Sequence, residues 1–156
     1  LALATNEYHW SSTIIWNKDH AVLSRKDYHT KYEPIWYGWK EGSARLCPLE
    51  DRKQNDVWDI DRPTRSEVHP TMKPIELVAR AISNSSAEED VCLDLFGGSG
   101  STLIACEQLN RTCYMMELDP KYVQVIIQRY IAFKGTSDDV YRINADGTKT
   151  KYEDIT

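Results

Sequence analysis

The chain has 156 residues, of which 41% are hydrophobic, so it is long enough to bury a core and fits one globular domain. Its net charge of −5 argues against a broadly basic surface that coats nucleic acid, although it does not exclude DNA binding. No apolar run approaches membrane-spanning length and no basic-then-apolar signal segment opens the chain, so we expect a cytoplasmic protein.

The first part of the chain predicts strands. Thr13 to Trp16 and Pro34 to Trp39 both look like strand segments. The tryptophans are also confined to this half, at Trp10, Trp16, Trp36, Trp39 and Trp58. Exposed tryptophans could stack on nucleic-acid bases, but large aromatic side chains mostly serve burial. We therefore expect them to pack in the core.

A polar stretch with little periodicity, residues 41–67, follows these strands. It contains a basic cluster made of Arg45, Arg52, Lys53, Arg62 and Arg65. Up to residue 70 the chain has 10 basic and 11 acidic residues, and after it 9 basic and 13 acidic residues. Because the excess acidity lies in the second half, we expect any DNA contacts to come from the first. A solvated surface loop is an equally good interpretation of the cluster.

The second half predicts alternating helices and strands. Pro74 suits a first helical turn, and the helix that it opens should end at Asn84. Asp119 is a plausible cap and Pro120 a good first residue for a later helix with apolar residues at helical spacing. Tyr141 to Tyr152 alternates around Asp146-Gly147, which predicts a terminal hairpin. This order favours a parallel sheet flanked by helices.

The most informative segment is residues 91–102. Val91 to Phe96 form a short apolar run, which is typical of a strand in a sheet covered on both faces. A second apolar strand, Cys113 to Leu118, follows about twenty residues later, and Glu117 and Asp119 lie at its end. A carboxylate there can accept hydrogen bonds from ribose hydroxyls. Between the strands is a turn that a ligand can approach closely, because it contains three residues without β-carbons, Gly97, Gly98 and Gly100.

Several glycine-turn chemistries compete for this segment. A phosphate-binding P-loop needs a lysine after its last glycine, but Ser101 follows Gly100. A serine-hydrolase elbow needs a glycine two residues after Ser99, and its histidine should come last, whereas all four histidines precede the turn. A nicotinamide or flavin fingerprint needs a third glycine where Leu103 stands, so an oxidoreductase is the weaker alternative. A further alternative is a glycine turn that serves only the packing of the chain and binds no ligand.

An upstream motif extends the pattern. His69-Pro70-Thr71-Met72-Lys73-Pro74 precedes a helix, the glycine strand and the Glu117 strand. In that order the chain resembles the β-class amino methyltransferases of DNA, which use S-adenosylmethionine to methylate adenine N6 or cytosine N4. Asp94 to Gly100 matches the family pattern Asp-Pro-Phe-x-Gly-Ser-Gly, with leucine where proline is usual. The resemblance spans residues 10–152 and is especially close to phage and prophage enzymes from Trp58 to Tyr130.

The resemblance implies a fold, a cofactor and a partner. The fold would be a Rossmann-like α/β methyltransferase sheet with flanking helices, in the circularly permuted β-class order and with a C-terminal hairpin. The cofactor would be S-adenosylmethionine and the partner double-stranded DNA. The residues implied at the methionine and adenosine parts of the cofactor are Asp94, Phe96, Gly98 and Gly100, with Glu117 at its ribose and Thr71 and Lys73 at its methionine carboxylate. A lysine ammonium suits a carboxylate, and a glutamate suits vicinal hydroxyls.

The resemblance also divides the chain. Residues 1–156 would form a single, partial methyltransferase domain. Its parts would be distal sheet strands in 1–40, a short target-recognition loop in 41–68, a cofactor region in 69–134 and the terminal hairpin in 135–156. The cysteines, Cys47, Cys92, Cys106 and Cys113, lack the paired spacing of zinc sites, so we expect reduced packing residues and no metal site.

One family motif is absent from the sequence. Amino methyltransferases carry an Asp/Asn/Ser-Pro-Pro-Tyr/Phe loop that binds the target amino group and stacks on the flipped base. No two prolines are adjacent in this chain. We therefore interpret it as the downstream portion of an enzyme, with no catalytic residue of its own and inactive alone. The expected protein partners are a missing upstream segment of the same enzyme or a second copy in a homodimer. A degenerate homologue that binds the cofactor or DNA without chemistry is the alternative.

Overall fold

The computed structural model describes residues 4–45, 47–63 and 72–155. His69, Pro70, Thr71 and Arg65 therefore lie outside the described residues. The strands and helices are β1 (Tyr8–Val22), β2 (Thr30–Lys40), β3 (Val57–Asp59), α1 (Ile75–Ser83), β4 (Val91–Asp94), α2 (Ser101–Gln108), β5 (Thr112–Met115), α3 (Pro120–Lys134), β6 (Tyr141–Ile143) and β7 (Lys149–Lys151). In these ranges no helix combines the length and apolar character needed to cross a membrane.

The first sheet has the strand order β2-β1-β3 and contains both strands predicted in the first half of the chain. β1 and β2 form a long antiparallel hairpin, and β3 pairs with β1 in parallel. Ile14 lies opposite Ile35 in the hairpin, and Trp16 lies opposite Trp58 between β1 and β3. α1 packs on this face, where the buried core consists of Trp16, Trp58, Ile60 and Leu77.

The prediction that the tryptophans pack in the core is correct for two of the five. Trp16 and Trp58 are 2% and 3% exposed, whereas Trp10 is 64% exposed. Trp36 and Trp39 are half-buried. Trp10 lies opposite Gly38, on the face of the hairpin that α1 does not cover. The indole of Trp36 already covers Gly38 there, since a Cβ on this glycine would come within 2.7 Å of the ring.

The second sheet pairs β4 with β5 in parallel, and α2 connects them. α2 packs against α1 and β5. Ala105 and Cys106 of α2 are completely buried, with Cys92 and Cys113 packed around them. Burial, together with the neighbouring thiols, raises the pKa of Cys106, and burial also raises the pKa of Cys113. These thiols are protonated at neutral pH and serve as small apolar packing groups.

The expected single parallel sheet, covered on both faces, is not what the described residues form. They contain three separate sheets, and one face of β4 and β5 is open to solvent. Val91 and Leu93 of β4 are 61% and 67% exposed, and Tyr114 of β5 is 62% exposed. The reason is that α1 and α2 pack on the face that carries Cys92 and Cys113, while no described element covers the other face.

Both ends of α1 and the start of α3 follow the predicted signals. α1 begins directly after Pro74, and Asn84 stands at its C-cap. α3 begins at Pro120 behind Asp119, whose carboxylate accepts a hydrogen bond from the Lys121 amide at 2.9 Å. α3 ends at Gly135, which adopts a left-handed φ of 75°. β6 and β7 pair antiparallel across a turn that contains Gly147.

Replacing Trp16 by phenylalanine should destabilise the fold. The indole N–H of Trp16 donates a buried hydrogen bond to the Ile60 carbonyl at 2.7 Å, which ties β1 to the end of β3. Without it the carbonyl loses its buried donor, so Trp16→Phe should lower the free energy of unfolding by about 2 kcal/mol in urea denaturation.

Trp10→Phe is the matched control, because Trp10 lies on the same strand and is largely exposed. It should change the free energy of unfolding by less than about 0.5 kcal/mol. Equal effects of the two substitutions would contradict the importance of this buried hydrogen bond.

Candidate cofactor site at the glycine turn

The predicted glycine turn connects the end of β4 to the start of α2. The Gly100 amide donates to the Gly97 carbonyl at 2.8 Å, which closes the turn. Gly98 and Gly100 adopt left-handed φ values of 54° and 79°, which favour glycine. A Cβ on Gly100 would also lie 3.0 Å from Ile126 of α3. The turn therefore requires glycine at position 100 both for its backbone conformation and for its packing.

Asp94, at the end of β4, is engaged with the turn itself. Its Oδ1 accepts a hydrogen bond from the Phe96 amide at 2.9 Å, and its Oδ2 accepts one from the Thr102 hydroxyl at 2.6 Å. The carboxylate thus joins the strand end to the first turn of α2. Asp94 therefore caps an amide of the turn, and its predicted contact with a cofactor stays a prediction.

Glu117 lies just after β5, where the sequence predicts a ribose-binding carboxylate. Its Oε2 accepts a hydrogen bond from the Gly98 amide at 2.7 Å, and its Oε1 accepts one from the Asp119 amide at 3.0 Å. The structure therefore brings Glu117 and the glycine turn together, although they are distant in sequence. The neighbouring Leu118 is almost fully exposed, as is Phe96 on the turn. The turn region thus combines a half-buried carboxylate with two exposed apolar side chains.

Arg129 of α3 also holds the turn, a role that was not predicted from the sequence. Its guanidinium donates a hydrogen bond to the carbonyl of Ser99, a residue that is itself buried. Burial lowers the pKa of Arg129, but an arginine remains charged at neutral pH. A single arginine within an apolar helix pattern has no local signal that would reveal this contact.

Lys73 lies on the other side of the turn, immediately before α1. Its backbone carbonyl accepts a hydrogen bond from the Ser101 hydroxyl at 2.8 Å, which places it at the start of α2. Its ammonium, however, is ion-paired with Glu33 of β2. Its predicted approach to a methionine carboxylate stays a prediction, and Thr71 lies outside the described residues.

Glu33 is shared by two lysines. Its Oε1 lies 2.8 Å from Nζ of Lys18, which is 6% exposed, and its Oε2 pairs with Nζ of Lys73. Both ammonium groups also lie near the ring of Trp16, at 5.2 and 5.3 Å from its centroid. Burial raises the pKa of Glu33, but the hydrogen bonds and charges of the two lysines outweigh it and hold the pKa below its usual value.

The arrangement can bind a ligand through backbone and carboxylate groups. The elements that meet at the turn are the ends of β4 and β5, the starts of α1 and α2, and α3. A cleft at the carboxyl ends of parallel strands is where open α/β sheets bind their ligands. The described part of the chain contains no cluster of three or more His, Cys, Asp or Glu side chains that could hold a metal ion.

Comparison with solved structures defines the class of fold. M1.HpyAVI in its complex with SAM superposes with a TM-score of 0.72 at 24% identity, covering 82% of this chain and 65% of that one. The cytosine-N4-specific PvuII DNA methyltransferase superposes with a TM-score of 0.66 at 17% identity, covering 88% of this chain and 55% of that one. The chain therefore has an α/β methyltransferase fold.

Sequence comparison then identifies the family. The model of the DNA methylase family matches residues 1–129, so the chain belongs to the N6/N4 DNA methylase family. The type II methyltransferase M.Cfr9I of Citrobacter freundii is 31% identical over 93% of this chain and 52% of its own length. The chain spans about half the length of the curated relatives it matches.

Removing the charge of Glu33 should lower the free energy of unfolding and make it depend less on pH in the acid range. The folded-state pKa lies below the ordinary 4.5, so the ion pairs stabilise the fold above that pH and are lost as the pH falls through the folded pKa. Glu33→Gln should cost about 1 kcal/mol at pH 7, since Glu33 is partly exposed. It should also reduce the loss of stability on acidification, measured by urea denaturation at several pH values.

Glu41→Gln is the control for this change. Glu41 is 67% exposed and faces His9 at 3.6 Å on the same hairpin. Its substitution should leave stability at pH 7 unchanged. If Glu33→Gln loses as much stability on acidification as the parent chain does, Glu33 does not form the expected ion pairs.

Alanine at position 100 should disturb the turn more than alanine at another left-handed glycine. Gly147 has a φ of 82° and open space where a Cβ would stand, with no atom within 4 Å, whereas Gly100 faces Ile126. Both substitutions should cost about 1–2 kcal/mol for the backbone conformation. Gly100→Ala should cost at least about 1 kcal/mol more, because it overpacks against α3. Equal losses in thermal unfolding would contradict a packing constraint on the turn.

Proposed function

We propose that the chain supplies the cofactor-binding part of a DNA methyltransferase that transfers a methyl group from S-adenosylmethionine to adenine N6 or cytosine N4. The observation that carries the proposal is the hydrogen bond between Glu117 and the Gly98 amide. It puts a carboxylate against a glycine turn at the carboxyl ends of two parallel strands. Family membership and the SAM complex of M1.HpyAVI, which shares the fold, support the same cofactor.

The residues at the turn fit S-adenosylmethionine. The ribose hydroxyls can donate hydrogen bonds to the Glu117 carboxylate. The exposed side chains of Phe96, on the turn, and of Leu118, next to Glu117 in the chain, offer apolar surface for a planar ring. A Cβ on Gly98 would meet only the Phe96 carbonyl, at 3.7 Å, so the backbone there is open to approach. When bound, the cofactor supplies an electrophilic methyl group for transfer.

The contribution of these residues to the reaction would be positioning. Asp94 and Arg129 hold the turn through hydrogen bonds to the Thr102 hydroxyl and the Ser99 carbonyl. A turn fixed in this way would keep the bound methyl donor in one orientation towards an amino nitrogen, and orientation lowers the barrier by removing motional freedom in advance. The target base would have to leave the duplex to reach the donor.

We expect the chain alone to bind the cofactor without transferring its methyl group. No two prolines in the sequence are adjacent, so it contains no Asp-Pro-Pro-Tyr type loop to accept hydrogen bonds from the target amino group. Transfer of labelled methyl groups to DNA by the purified chain would refute this part of the proposal.

The experiment that tests the proposal is a calorimetric titration with S-adenosylmethionine, followed by NADH. Binding of S-adenosylmethionine alone is expected. Binding of NADH in the same turn would favour an oxidoreductase and contradict the proposal. Glu117→Ala should weaken S-adenosylmethionine binding by about tenfold or more, which corresponds to about 1.4 kcal/mol, because it removes the acceptor for the ribose hydroxyls.

Two further variants separate recognition from folding. Glu117→Gln keeps the size of the side chain but replaces one of the two oxygens that accept the Gly98 and Asp119 amides by a donor. It should bind more weakly than the parent chain and unfold at a somewhat lower temperature, so its thermal unfolding is measured beside its affinity. Glu88→Ala removes an exposed carboxylate between α1 and β4 and should leave cofactor affinity unchanged. Unchanged affinity in both Glu117 variants would remove this residue from the site.

A further inference from the structure

We propose that the tip of the β1–β2 hairpin, residues 23–29, contacts the DNA backbone. The inference rests on the proposed function, because it takes DNA as the substrate, and it adds the surface on which the duplex lies. The sequence analysis pointed instead to the basic cluster within residues 41–67. The hairpin tip lies at the end of the fold that carries the glycine turn, whereas the described basic residues before β3 lie at the other end.

The glycine turn and the hairpin tip lie at the same end of the fold. Lys73 links the two, because its carbonyl accepts a hydrogen bond from the Ser101 hydroxyl and its ammonium forms an ion pair with Glu33 on β2. Glu33 lies opposite Trp16 in the hairpin, so the glycine turn is level with Trp16. From Trp16, β1 runs another six residues to Val22. Because β1 has an irregularity between Asn17 and Val22, only three residues of β2 separate Glu33 from Thr30, the partner of Val22. At about 3.3 Å per residue, the paired part of the hairpin therefore projects about 10 Å beyond this level.

The course of α1 shows that this projection points away from the body of the domain. Leu77, near the start of α1, packs with Trp16 and Trp58. Ala81 and Asn84, at its end, line a cleft of about 600 Å³ together with Ser12 of β1, well before Trp16 in the strand. α1 therefore runs antiparallel to β1, and the hairpin tip extends past the start of this helix, beside the cofactor turn.

The basic residues of the 41–67 stretch that the structure describes before β3 lie at the opposite end. Gln54 exchanges hydrogen bonds with Asn84 at the C-terminus of α1, which anchors this loop there. Arg45 is stacked near the rings of Tyr37 and Trp39, at 5.7 and 5.5 Å from their centroids. A duplex positioned at the glycine turn would lie at the other end of α1 from these groups.

The chemistry of the hairpin tip fits a polyanion. The segment from Leu23 to Lys31 contains three basic residues, Arg25, Lys26 and Lys31, and a single acidic one, Asp27, in a chain whose net charge is −5. All three basic side chains are exposed. Leu23 and Tyr28 are 84% and 89% exposed, so the tip also presents apolar groups that can pack on sugars or bases.

The carboxylates near the base of the hairpin do not cancel this charge. Glu33 is paired with two cations, Lys18 and Lys73. Asp19 accepts hydrogen bonds from His20 and from the Arg62 amide, and the Arg62 guanidinium lies 3.6 Å from it. This end of the hairpin therefore keeps a positive excess, and neutralised phosphates release counterions on binding.

The test compares two double variants in fluorescence anisotropy with a labelled DNA duplex between about 50 and 200 mM NaCl. Arg25→Ala/Lys26→Ala removes adjacent exposed cations from the tip, and Arg52→Ala/Lys53→Ala removes the same pair of residue types from the distant loop. The tip variant should bind DNA about fivefold or more weakly at low salt. If both cations contact phosphates, the slope of log affinity against log salt should fall by about 1.8. The loop variant should match the parent chain.

Equal effects of the two variants, a larger effect of the loop variant, or no DNA binding by the parent chain at about 50 mM salt would overturn the proposal. Calorimetry with S-adenosylmethionine on the same proteins keeps this outcome apart from the proposed function. Cofactor binding without the expected DNA result would leave the cofactor proposal standing and remove the hairpin tip from the DNA surface.

Discussion

The carboxylate of Glu33 is the contact on which the arrangement of the site depends. It binds the ammonium groups of Lys18, within the same hairpin, and of Lys73, which stands immediately before α1. Because the Lys73 carbonyl also accepts the Ser101 hydroxyl, this ion pair connects the hairpin to the start of α2. Lys18 is almost fully buried, and a buried cation is tolerated only when an anion neutralises it. The shared charge of Glu33 therefore helps to fix the turn relative to the first sheet, together with the packing of α1 on that sheet and on α2.

The turn itself is held by side chains that come from separate elements. Asp94 holds it from β4, Glu117 from the end of β5 and Arg129 from α3, while Gly100 allows α3 to pack closely. Each of these contacts satisfies a polar group of a loop that would otherwise depend on solvent. A binding loop fixed by its own protein loses little conformational entropy when a ligand arrives, which favours affinity.

Local sequence signals predicted the local structure well. Asp119 and Pro120 mark the start of α3, and the structure confirms that helix start because caps act within a few residues of their position. The approach of Glu117 to the glycine turn was also predictable, since parallel strands bring their carboxyl ends together. Lys73 and Glu33 are 40 residues apart, and no periodicity encodes that pairing. Trp10 was misjudged for a related reason, because its type predicts burial while its exposure depends on which face α1 covers.

The open face of β4 and β5 has a consequence for the chain in solution. Its residues are those of a protein interior, and they form a contiguous strip that includes Val91, Leu93, Tyr114 and Met116. In the described residues β4 is paired on one edge only, so unpaired backbone groups lie beside this apolar strip. Surfaces of this kind favour edge-to-edge association between copies. Folded copies should therefore associate as the protein concentration rises, without any need for the chain to unfold first.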